Sequence, residues 1–95
     1  MAKLSHSAIW GAIDALAARA EMTPSALARL AGLDPTSFNP SKRVSAGRRP
    51  RWPSTESLAK VLDAAGVSLR DFAELTEAAA AQARSADDAP GRHWR

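Results

Sequence analysis

Two helix-start signals eleven residues apart constrain this chain more than any other feature of it. Thr23-Pro24 and Asp34-Pro35 each pair a side chain that accepts a hydrogen bond from an orphan backbone N–H with a proline, which loses nothing at the first helical position. Gly32 stands between them, where a chain leaving one helix for another takes a positive φ at little cost. Two short helices joined so tightly must cross steeply. They need a small residue where their axes approach, which Ala28 supplies. They also need apolar residues that lock the pair onto a third helix: Leu27, Leu33 and Phe38. The second helix is expected to be short or kinked, because Pro40 lacks an N–H and clashes with the preceding turn.

The rest of the chain is read around this unit. Ile9, Trp10, Ile13, Leu16, Ala17 and Ala20 recur at three- and four-residue steps and predict a first helix from about Ser7 to Ala20, with Asp14 off the stripe. Leu27, Ala28, Leu30 and Ala31 form the apolar face of the second helix. The residues from Ser41 to Pro53 read as a loop. A fourth helix is predicted from Ser54 to about Ala65, ended by Gly66. Ser68 caps a fifth, and Asp71 completes a pair resembling a capping box. Leu69, Phe72 and Leu75 form its apolar face and offer a surface for dimerisation. The alanines beyond Glu77 can extend this helix, and from Ser85 the chain reads as a linker or tail. There is no strand signal and no repeat. The expected organisation is an all-α domain over residues 1–77 and a helical extension with a flexible tail over 78–95.

Charge is distributed unevenly. Ser41 to Trp52 carries five cations (Lys42, Arg43, Arg48, Arg49, Arg51) and no acid, whereas Asp71 to Ala89 carries five acids and one cation. A basic stretch on a small domain suits a polyanion such as DNA, and equally a solvated loop. The chain has no cysteine, so disulfides and thiolate metal sites are excluded. His6 and His93 have no partner at metal-ligand spacing, and neither G-x-S-x-G nor H-E-x-x-H occurs. Neither an enzyme nor a cofactor or metal is expected. No apolar run approaches the ~20 residues of a membrane span. The N-terminus lacks the pattern of a signal peptide, which makes the expected location the cytoplasm, at the nucleoid.

The segment from Thr23 to Val44 resembles the helix-turn-helix of the lambda-repressor-like, or Xre, family of regulators. F-N-P-S-K-R at 38–43, followed by R-P-R-W-P-S-T-E-S-L-A-K-V-L at 49–62, resembles more closely the N-terminal DNA-binding domain of phage-type repressors that carry a LexA-like serine peptidase domain. The resemblance spans roughly Ser7 to Leu75. It implies a five-helix fold, a recognition helix beginning near Pro35, and repression by a dimer bound to a pseudo-palindromic operator. Pro40 departs from the uninterrupted recognition helix of many members. The residues after Glu77 are too few for the peptidase domain, so either the chain is a fragment or the protein works without it.

Carried over by position, the resemblance makes Thr36, Ser37 and Asn39 groove-facing, with Ser41, Lys42 and Arg43 at the end of the helix. Asn39 has two readings, a bidentate bond to adenine or a cap on the kink at Pro40. Thr36 and Ser37 either reach DNA or satisfy local backbone donors. Lys42, Arg43, Arg48, Arg49 and Arg51 suit phosphates, and one arginine suits a guanine or a minor groove. The N-terminus of the helix opened by Ser54 either grips a phosphate or is simply capped. Trp10 is read as core, and Trp52 either packs its ring along the sugar-phosphate backbone or, the preferred reading, anchors its loop. The alternative function is a protein-interaction module, an antitoxin or adaptor, whose basic loop holds an acidic partner. Binding to a membrane surface through the alanine-rich tail is opposed by its acids.

Overall fold

The computed structural model describes residues 4–45 and 47–87. These residues are helical, with four α-helices and no strand beyond one isolated antiparallel bridge. The helices are α1 (His6–Arg19), α2 (Pro24–Leu30), α3 (Thr55–Ala65) and α4 (Leu69–Asp87). Each begins on a hydroxyl cap. Ser5 Oγ accepts from the Ala8 N–H, Thr23 Oγ1 from Ala26, Ser54 Oγ from Ser57 and Ser68 Oγ from Asp71.

The first three helices also end alike. After α1, α2 and α3 the chain enters the left-handed region at Glu21, Gly32 and Gly66. The next amide then reaches back five residues: Met22 to Ala17, Leu33 to Ala28 and Val67 to Leu62. This is the Schellman arrangement, which satisfies otherwise orphaned carbonyls. Met22, Leu33 and Val67 each pack against the core, so every helix end doubles as an apolar contact. At the first of these ends a glutamate takes the conformation that glycine supplies at the other two.

The core is built around α1. Ile13, Leu16, Leu27, Phe38 and Val61 are almost wholly buried, and Trp10 and Phe72 nearly so. Helix α4 packs along α1: Val67, just before it, shares a hollow with Leu16 and Arg19 at the end of α1, and Ala79 lies opposite Gly11. A Cβ on Gly11 would stand only 3.1 Å from that of Ala79, so the two backbones approach closely. Thr76 is buried among these contacts. Its hydroxyl donates to the Phe72 carbonyl at 3.0 Å, which removes the cost of burying it.

Five expectations need correction. The apolar face of α2 is narrower than its periodicity suggested, since Leu30 is 56% exposed. The helix expected from Asp34 is absent, and residues 35–38 form turns. Pro40 follows Pro35 too closely for a ladder of i→i−4 bonds. As the residue before a proline, Asn39 is driven from the helical region to φ −65°, ψ 146°. The chain instead closes a series of i→i−3 bonds: Ser37 to Asp34, Asn39 to Thr36, Lys42 to Asn39 and Arg43 to Pro40. The last two enclose a single 3₁₀ turn, Pro40–Lys42.

The proposed dimer surface is largely spent within the chain, because Phe72 is buried and Leu75 packs on the core, leaving only Leu69 exposed. Helix α4 continues through Ser85 to Asp87, where a linker was expected, and residues 88–95 lie outside the described residues. The described residues of the basic segment form a hairpin, where a loop is expected from the sequence. Arg51 N–H donates to Arg43 O, Ser45 N–H to Arg49 O and Arg48 N–H to Ser45 O, all at 2.9 Å, and Val44 bridges Pro50. Gly47 and Arg48 turn its tip at φ 86° and 65°.

Candidate nucleic-acid interface

The hairpin is held to α1 at its mouth. Trp10 Nε1 donates to Arg51 O at 2.8 Å. His6 Nε2 lies 2.7 Å from Arg43 O and 3.1 Å from Arg51 O. Both partners are carbonyl oxygens, so Nε2 carries the proton and donates. His6 stacks edge-on between Trp10 and Trp52, at 6.4 and 5.9 Å between ring centres. The loop anchor is therefore Trp10, aided by His6. Trp52, expected in that role, is 54% exposed.

Arg43 is also corrected. Expected at a phosphate, its side chain is only 15% exposed and makes four hydrogen bonds within the chain. Nη1 and Nη2 donate to the two carboxylate oxygens of Asp14 at 2.9 and 2.7 Å, while Nε and Nη2 donate to Phe38 O. The guanidinium carbon lies 4.7 Å from the centre of the Trp10 ring. A planar fork meeting a carboxylate on one edge and an aromatic face below is a task for arginine, not merely for a positive charge.

The other sequence-predicted residues lie in several places. Ser37, Lys42, Arg51 and Ser54 are brought together, with Ser57 and Trp52, around a polar cavity of about 260 Å³ at the N-terminus of α3. Arg48 and Arg49 are exposed at the hairpin tip, and Ser41 is exposed on the 3₁₀ turn. Asn39 and Arg43 lie apart from that cavity, on a wider groove of about 650 Å³ shared with Asp14, Met22 and Pro24. Asn39 caps nothing at the 3₁₀ turn, which removes that reading of it.

Thr36 is exposed, but its hydroxyl proton is committed to Asp34 Oδ1 at 2.6 Å, and its backbone N–H reaches the same oxygen at 2.8 Å. These two bonds, with lesser help from Lys42, hold the Asp34 carboxyl below its ordinary pKa. Ser54 does cap α3, and its own hydroxyl donates to Ser57 Oγ at 3.0 Å.

Reading the sequence alone missed His6 and Asp14. The available signal was slight: both stand on the helix whose apolar stripe includes Trp10, at four-residue steps from it. No group of three or more histidines or acids suited to a metal occurs among the described residues. No described helix is long and apolar enough to cross a membrane. Comparison with family models, curated proteins and solved structures finds no match to this chain.

Proposed function

We propose that this chain binds double-stranded DNA and acts as a transcriptional regulator, most simply a repressor that occupies its operator as a dimer. The observation that carries this reading is the acid-free hairpin. Lys42, Arg48, Arg49 and Arg51 are exposed along one short, ordered segment fixed to the body of the domain beside the start of α3. Four cations on one short segment next to the N-terminus of a helix suit a row of phosphates. The exposed turn at Thr36, with Ser37 beside it, adjoins this row and supplies short polar side chains for base edges.

In this reading the domain is a lambda-repressor-like arrangement in which the recognition helix is reduced to the turns of residues 34–43. Two copies about 34–36 Å apart would read a pseudo-palindrome. Such a regulator works in the cytoplasm, at the nucleoid.

The test is fluorescence anisotropy with a labelled duplex of mixed sequence, about 30 base pairs long, across a salt series. Binding that weakens steeply as salt rises, together with a symmetric sequence recovered by selection from a random pool, supports the proposal. No binding at low salt refutes it.

A further inference from the structure

We propose that Asp14 is a positioning residue for DNA binding: it acts through Arg43 to set the hairpin, and so raises DNA affinity although its own charge repels DNA. This rests on the DNA-binding reading above. Arg43 stands where the turns of residues 34–43 pass into the hairpin. Its N–H closes the 3₁₀ turn on Pro40 O, and its carbonyl receives Arg51 N–H and His6 Nε2. Its side chain ties the same point to Phe38 O, to the Trp10 ring and to Asp14. Trp10 in turn holds Arg51 O, which completes a ring of contacts around the hairpin mouth.

The hairpin needs such bracing. It has one isolated bridge and no strand ladder, and a short two-stranded ribbon is barely stable alone. Asp14 is the sole acid in this brace, and its carboxylate, 46% exposed, receives half of the guanidinium's bonds. Without them the fork is free to leave the Trp10 face for solvent or a phosphate. The mouth then loosens, and the spacing of Lys42 to the three arginines beyond it is lost.

Charge and position predict opposite signs, which makes the proposal testable. Neutralising an acid near a DNA-facing surface tightens binding if only charge matters. We expect Asp14→Asn to weaken binding to the mixed-sequence duplex about fivefold or more, Arg43→Lys to do likewise although its charge is kept, and the double variant to be no worse than either alone. Asp14→Glu, which keeps the carboxylate, should recover part of the loss. Affinities are compared at a temperature where circular dichroism shows each variant folded. If Asp14→Asn does not fold, Arg43→Lys against Asp14→Glu carries the comparison.

Unchanged or tighter binding by Asp14→Asn overturns the proposal, as do losses that simply add in the double variant. A wild-type chain with no affinity for the duplex removes the DNA-binding reading itself. Wild-type binding that Asp14→Asn leaves intact removes only the positioning role.

Discussion

The hairpin has a mouth and a tip, and arginines serve opposite purposes at the two. At the mouth, Arg43 is mostly buried, bonded to a carboxylate and a carbonyl, and laid over an indole ring. At the tip, Arg48 and Arg49 are exposed, and their side chains make no ion pair among the described residues. A charge already paired and desolvated gains little from a new anion. A solvated charge at fixed spacing releases its counterions to one. Position relative to α1, not residue type, decides which arginine braces and which is available.

Breaking the brace should lower stability while the tip proves indifferent. The largest effect is expected for Phe38→Ala. This ring is 1% exposed, packs edge-on to Trp10 and anchors the turn whose carbonyl receives Arg43. A loss of about 3–5 kcal/mol in urea unfolding is expected, as for other buried phenylalanines. Arg43→Ala comes next, at about 2 kcal/mol, since its charged hydrogen bonds are partly buried but Asp14 remains half in water. Trp10→Phe keeps most of the ring and removes the N–H on Arg51 O, for about 1–2 kcal/mol.

The smallest effect belongs to Asp34→Ala, which removes the acceptor for Thr36. Because the folded carboxyl titrates below its ordinary value, its contribution is full above the unfolded pKa and lost as pH falls through the folded one. The gap between this variant and the wild type in urea midpoint should be present at neutral pH and close below about pH 4.

Local order was legible in the sequence, and long-range order was not. Ser54 and Ser68 announce α3 and α4, Thr23-Pro24 announces α2, and Gly32 and Gly66 stand at the helix ends they suggested. Those signals act within five residues and need no tertiary partner. Asp34-Pro35 carries the same start signal as Thr23-Pro24 but yields turns, because Pro40 imposes an extended Asn39 and leaves room for no more than a single helical turn after Asp34. The proline was visible in advance; that it abolishes the α-helix rather than bending it follows from its distance to Pro35.

The hairpin left no alternating pattern to read. Its geometry is fixed by bonds to residues about forty positions away: His6 to Arg43 and Arg51, and Trp10 to Arg51. The bracing role of Arg43 depends likewise on Asp14, twenty-nine residues earlier. In sequence, Arg43 is simply one of five cations between Ser41 and Trp52.

The division between bracing and available cations is tested most directly by the salt dependence of duplex binding for Arg48→Ala/Arg49→Ala. The account predicts a slope of log affinity against log salt shallower by about two, affinity lower by ten- to a hundredfold, and stability within about 0.5 kcal/mol of the wild type. A slope and an affinity equal to those of the wild type would contradict it.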